Sequence, residues 1–411
     1  MGARRVVAWS RIIVVVNVLA ILIVLALSRD FIDPAGKPVG TDFLGFWSAG
    51  RMALEGHAAE AYDYDREFAR EKKALPWKDE RNAPFFPWPY PPMFLNVVAL
   101  FALLPYGAAL GAWLAATVPI YLASIRAILP GRNAMLVALA FPAVLSNLAH
   151  GQNGFLTAGL LGGALVLLDR RPWTSGIMFG LLAYKPQFSA MIPLALLVGG
   201  RWRTVFAAAI TVAGTAALSW AMWGAGAWHA FFASLGVARA LELEQGTVAR
   251  EKVQSVFSAV RMLGGGIGPA YAAQAVFAIA AMAALVWIWR KPVGGALKGA
   301  ALATATMMVT PYLIDYDLIV LALPVAWLAS LGLREGFLPW EKITLFAVWL
   351  LPLLSRMMGR YLHVPAAPFV MALLLAIIMR RAARDLVAQA TSTIGSAPLT
   401  ELVTLPLVPL H

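Results

Sequence analysis

Asp42 and Lys185 are the charged side chains whose surroundings most invite chemistry. Asp42 stands in Gly40-Thr41-Asp42-Phe43-Leu44-Gly45-Phe46-Trp47, just after the first apolar run. Phe43, Phe46, Trp47, Gly50 and Leu54 then recur at helical spacing, which puts the carboxylate at the head of a short helix with one apolar face, lying on or near a membrane surface. Lys185 lies in Lys185-Pro186-Gln187, a polar joint between two short apolar runs. Gly151-Gln152-Asn153, Thr310-Pro311-Tyr312 and Asp315-Tyr316-Asp317 are joints of the same kind. Tyr90 ends a proline-rich stretch, and Gln254 follows Lys252-Val253.

Ionisable residues at the ends of apolar helices point to function by default. Two chemistries fit a carboxylate and a cation at the mouth of a membrane cavity. In group transfer from a lipid-linked phosphate, the carboxylate takes a proton from an acceptor hydroxyl and the cation meets the leaving phosphate. In transport, or flipping of a lipid-linked saccharide, carboxylates relay protons near the bilayer midplane. Transport predicts mid-span ionisable residues and an internal repeat, and neither stands out. Each residue also has a plainer reading. Asp42, Asp315 and Asp317 can cap helices, Lys185 can snorkel, and Gln152 and Asn153 can satisfy a tight hairpin. Their gathering on one face favours chemistry.

The elements that would position these residues are set by composition. Of 411 residues, 61% are hydrophobic and 13% charged, with mean hydropathy +0.74. A soluble fold cannot hide that much apolar surface, so the chain is expected to be an all-α polytopic membrane protein in contact with membrane lipids. The net charge of +12 comes from small basic clusters between apolar runs, the pattern that orients a membrane protein, and does not suggest nucleic acid. With no cysteine, disulfides and thiolate metal sites are excluded. The five histidines are scattered and form no sequence-local ligand pair.

The apolar run Ile12 to Leu27 exceeds a usual signal-peptide core of roughly 7–15 residues, which predicts an uncleaved first helix. Residues 29–106 form the first outer loop, expected to carry juxtamembrane helices; within it, Asp63 to Lys73 reads as an exposed helix with i,i+4 pairs. Met93 to Leu104 is too short to cross, and treating it as a surface or dipping helix places the later basic clusters on one side. About twelve spans follow: 10–28, 107–129, 133–149, 153–169, 173–184, 186–200, 203–223, 271–290, 297–312, 315–333, 340–356 and 365–380. Residues 224–270 form a second outer loop, 1–380 make one transmembrane domain, and 381–411 a cytoplasmic tail without assigned structure from Asp385 on.

In order, the chain reads Thr41-Asp42-Phe43 with Phe46-Trp47 and Ala49-Gly50, then Tyr62-Asp63, Tyr90-Pro91-Pro92, Gly151-Gln152-Asn153, Lys185-Pro186-Gln187, Gln254-Ser255 and Thr310-Pro311-Tyr312. This order and spacing resembles glycosyltransferase family 87, the polyprenyl-phosphate-mannose-dependent mannosyltransferase-like proteins of the GT-C fold. The resemblance implies a bacterial inner-membrane enzyme with its active site facing the periplasm. The implied donor is a polyprenyl-phosphate sugar, commonly mannose, with arabinofuranose or another sugar as alternatives. A lipid or glycan would be the acceptor, and transfer would invert the anomeric centre without metal or cofactor. Asp42 matches the family's general base. Lys185 would meet the phosphate, supported by Gln187 and Tyr90, while Gln152 and Asn153 would bind sugar hydroxyls or shape the pocket. Where relatives often carry histidines, this chain has Tyr312, Asp315 and Asp317 at the acceptor side or rim, with Gln254 nearby.

Overall fold

The computed structural model describes residues 2–77 and 83–395. Among these the chain is helical, without strands; Val253 and Ile314 form one of its isolated β-bridges. Among the described residues six helices are long and apolar enough to cross a membrane: Arg4–Leu27, Tyr106–Ile128, Trp202–Gln245, Ile267–Arg290, Asp315–Glu335 and Glu341–Leu362. The chain is thus a multi-helix membrane protein, with fewer full-length spans than the twelve expected.

The difference lies in the middle of the chain, where proline, glycine and polar joints cut the apolar sequence into short helices. The run 133–149 becomes Ala134–Leu139 and Ala143–His150. The next runs become Gly154–Leu167, Pro172–Leu181, Pro186–Ser189 and Met191–Val198. Gly295–Val309 is buried along almost its whole length and serves as core.

Pro92–Ala102, the run expected to lie on or dip into the surface, has 11 residues. At 1.5 Å per residue it spans about 16 Å against a hydrocarbon core of about 30 Å. Its Phe94, Leu95 and Val98 are buried, and the helix packs between Thr41–Leu54 and Trp202–Ala238.

Three sequence expectations need correction. The helix from Trp202 does not end near residue 223: Gly224 kinks it at φ 76°, and it continues to Ala238, then as a π-turn over Arg239–Gln245. Residues 224–245 are therefore helical instead of loop. Tyr64–Ala74 is not exposed all round, because Glu67 and Glu71 are fully buried. The last helix, Ala367–Gly395, runs past Asp385, while the rest of the expected tail, 396–411, lies outside the described residues.

The bundle has two chemically distinct ends. Gly154–Leu167 and Gly295–Val309 each run between a polar joint and a basic end. At the basic ends Arg201 pairs with Asp169 at 2.7 Å, and the Trp289 indole donates to the Lys298 carbonyl. Arg381, fully buried, pairs with Glu341 at 2.8 Å and Glu335 at 3.1 Å. The opposite ends, at Asn153 and Thr310, carry the polar joints.

Candidate active site

The Thr41–Leu54 helix begins at Gly40, whose φ of 75° is left-handed. A Cβ there would stand 2.8 Å from Leu110, so glycine suits both the turn and the packing. Tyr106 donates to the carbonyls of Val39 and Gly40, and Gly40 N–H to Ala149. These bonds fix the helix start against the joint at residues 149–153. Asp42 is in the first turn, not at the cap, so its carboxylate is available to the cavity. Its Oδ2 accepts from Gln152 Nε2 at 2.7 Å. Phe43, Phe46 and Gly50 are buried as expected, whereas Leu54 is exposed.

Asp42 opens into a cavity of about 610 Å³, the size of many small-molecule sites. Tyr90, Gln152, Lys185, Gln187, Tyr312 and Asp317, all singled out in the sequence, line it together with Asp42. Phe46, Phe85, Phe86, Tyr184, Tyr271 and Tyr316 add further aromatic surface to the wall.

Lys185 points inward and does not snorkel. Tyr184 is locked beside it, stacked on Phe94 at 4.3 Å and sharing a hydrogen bond with Thr157 at 2.6 Å. The Lys185 ammonium donates to Asp317 Oδ1 at 2.5 Å and Asn153 Oδ1 at 3.0 Å, with both ends of the ion pair buried. The cation expected to meet a phosphate is therefore already neutralised inside the protein.

Three expected site residues stand off the cavity wall. Asn153 is buried behind Lys185 and orients it. Asp315 starts the 3₁₀ turn Asp315–Leu321 and lies 4.0 Å from Arg356. Gln254 is buried, its side-chain amide donating to the Glu251 carbonyl and its backbone N–H to Leu313. For Asp315, which accepts the Tyr316 N–H, and for Gln254, local backbone bonding holds the side chain away from the opening, whereas Asn153 is turned to Lys185.

Glu242 was not singled out in the sequence, yet it lines the cavity. The π-turn carries it in, and it accepts from Tyr312 at 2.5 Å and Tyr64 at 3.0 Å. It thereby ties the two outer segments together. Arg239 and Lys252 also line the wall. Beneath the proline-rich wall lie Glu67 and Glu71. Burial, with Glu71 beside it, pushes the Glu67 carboxyl well above the ordinary range, and burial likewise raises Glu71. Glu71 accepts the Phe86 N–H at 3.1 Å and so anchors that wall. Burial also raises the Tyr90 and Tyr312 phenols, which keeps them protonated donors. Among the described residues no group of three or more His, Asp or Glu side chains is placed to hold a metal.

A carboxylate, side-chain amides and tyrosines thus face one aromatic cavity in a membrane helix bundle. The chain belongs to glycosyltransferase family 87, whose profile matches residues 88–311, more than half of it. No curated protein and no solved structure matches. The matched region includes Tyr90, Gln152, Asn153, Lys185, Gln187 and Gln254, while Asp42, Tyr312, Asp315 and Asp317 lie outside it. Asp42 thus joins the site through geometry, by its bond to Gln152. The protein is a membrane glycosyltransferase.

Proposed function

We propose that this glycosyltransferase moves a hexosyl group, mannose in our reading, from a polyprenyl-phosphate donor to a hydroxyl of a lipid or glycan. The acceptor oxygen attacks the anomeric carbon as the bond from that carbon to the phosphate oxygen breaks, inverting the centre. The hydroxyl proton goes to Asp42, and polyprenyl phosphate leaves. The observation that carries the reading is the Asp42–Gln152 contact at the wall of an aromatic cavity within a membrane bundle. The Gln152 amide orients the carboxylate through Oδ2, while Oδ1, which takes only a long 3.3 Å bond from the neighbouring Thr41 hydroxyl, is the oxygen that receives the acceptor's proton.

Gln187, Tyr90 and Gln152 supply hydrogen bonds to the donor's sugar, and aromatic faces suit its apolar side. Lys185, held by Asp317 and Asn153, shapes the floor of the donor site. The cavity opens at the end of the bundle away from the Arg201 and Arg381 clusters. Since basic clusters stay in the cytoplasm, we place it on the periplasmic side of a bacterial inner membrane.

The test is transfer in liposomes from a labelled polyprenyl-phosphate hexose to a mixed envelope-lipid acceptor. Wild type should form labelled product, and Asp42→Asn should lose roughly 10²–10⁴-fold in rate while still binding donor. Full activity in Asp42→Asn would remove the base assignment. Movement of the lipid across the bilayer without transfer would favour a flippase.

A further inference from the structure

We infer that Lys252 is the side chain that recognises the donor's phosphate; the inference rests on the lipid-phosphate reading above. It begins from a balance of charge around the cavity. The lining carboxylates are Asp42, Glu242 and Asp317, and the lining cations are Lys185, Arg239 and Lys252. Lys185 is consumed by Asp317 at 2.5 Å. Arg239 is mostly exposed and pairs with Glu244 at 3.3 Å. Lys252 has no carboxylate within ion-pair distance among the described residues. A phosphate entering this cavity would find it the one lining cation without such a partner.

The backbone holds Lys252 in place. Val253 bridges to Ile314, and Gln254 N–H donates to the Leu313 carbonyl at 2.6 Å. The segment carrying Lys252 is therefore fastened to the one whose Asp317 holds Lys185. The lysine is half-buried, which weakens solvent screening while leaving its ammonium accessible from the cavity. Asp315 is within electrostatic reach, but Arg356 and His150 surround it too. Lys252 therefore shares Asp315 with Arg356, and a phosphate in the cavity can settle against its ammonium. Lys185 becomes a positioning residue in this arrangement, and Lys252 takes the ligand's charge.

The test uses the purified full-length protein in detergent and two probes, undecaprenyl phosphate and the uncharged undecaprenol. Wild type should bind the phosphate at least roughly tenfold more tightly than the alcohol, with the preference shrinking as salt rises. Lys252→Gln should bring the two affinities close together, and Lys252→Arg should keep them apart. Among the described residues Lys252 makes no ion pair or side-chain hydrogen bond that the substitution would break, its one electrostatic neighbour Asp315 also facing Arg356, and an unchanged unfolding temperature would confirm an intact fold. If wild type prefers the phosphate and Lys252→Gln does so equally, the assignment of Lys252 is overturned and the donor reading survives. If wild type shows no preference, the lipid-phosphate reading itself falls.

Discussion

The carboxamide of Gln152 and the carboxylate of Asp42 meet at 2.7 Å across 110 residues of chain. Gln152 is itself held, because its backbone N–H donates to Asn147 and its side-chain oxygen accepts from the N–H of Asn153. Its side-chain NH₂ group therefore points at Asp42 at little entropic cost, and the carboxylate keeps one face toward the cavity. Removing the amide leaves the base present but held only by the long 3.3 Å bond from Thr41 Oγ1. Gln152→Leu should lower kcat by roughly tenfold, less than the roughly 10²–10⁴-fold expected for Asp42→Asn. Donor KM should rise as well, because the same amide also faces the donor's sugar. Steady-state kinetics on the two variants check the ordering; a Gln152→Leu enzyme as slow as Asp42→Asn would give the amide a direct part in the chemistry.

The Lys185–Asp317 pair is buried on both sides, so its two members are expected to be strongly coupled. Removing either leaves an uncompensated buried charge, which costs about 3–5 kcal/mol. Replacing both by apolar residues of similar size removes both charges and should restore much of that loss. A double-mutant cycle of Lys185→Met and Asp317→Leu, read by thermal unfolding in detergent, should give each single variant a lower unfolding temperature than the double. Additive losses would mean that the two side chains do not depend on each other.

Much of the site can be read in the sequence because its residues interrupt apolar runs. Gln152, Lys185, Tyr312 and Asp317 stand between hydrophobic stretches, where a polar residue is conspicuous, and all four line one cavity. Glu242 escapes notice because Arg239-Ala240-Leu241-Glu242-Leu243-Glu244 looks like an ordinary solvated charge run. What turns Glu242 inward is a π-turn after a helix kinked at Gly224, and no local pattern announces either. Glu67 and Glu71 show the same limit. Acids at i and i+4 among bases fit an exposed helix, and only the packing of Phe86 above them shows which face is buried. The apolar runs predict about twelve spans, and six helices are long and apolar enough to cross among the described residues; hydropathy alone does not distinguish a helix that meets lipid from a short apolar helix packed inside the bundle.

Burial of Glu67 and Glu71 carries a pH dependence. Desolvation is the largest cause for both; Glu71 adds to it for Glu67 and Asp42 adds to it for Glu71, and together they outweigh the backbone hydrogen bonds from Trp88 and Phe86 that pull the other way, so both carboxyls lie above the ordinary range. The folded protein then holds protons that the unfolded chain releases above roughly pH 4.3, so stability falls as pH rises from there through the folded-state values. Glu242 also acts on Glu67 in the same direction. Glu67→Gln keeps the shape and removes one titration. In detergent, wild type should unfold at a lower temperature at pH 8 than at pH 5, and Glu67→Gln should narrow that difference. Parallel curves for the two proteins would show that Glu67 does not titrate in this range.

Gly45 sets how closely the proline-rich wall approaches the helix that carries Asp42. A Cβ at this position would stand 2.2 Å from the Phe86 carbonyl oxygen, a backbone atom that cannot swing aside. Phe86 is held from its other side, where its N–H donates to Glu71 at 3.1 Å. A methyl group must therefore push the wall outward and strain that hydrogen bond, and the wall bears Phe85, Phe86 and Tyr90 of the cavity. Gly45→Ala should cost about 1–3 kcal/mol by overpacking and reduce transfer, because the sugar would lose contact with a displaced aromatic surface. Gly111 gives the matched control, since it lies in the Tyr106–Ile128 helix with nothing within 4 Å of an added Cβ. Gly111→Ala should leave transfer unchanged and, by helix propensity, hold or raise stability by up to about 1 kcal/mol. Unfolding temperature and transfer rate measured on both variants separate the close approach at Gly45 from the general effect of replacing a helical glycine. Equal outcomes for the two would mean that the wall yields freely and that its distance from Asp42 is not fixed by this contact.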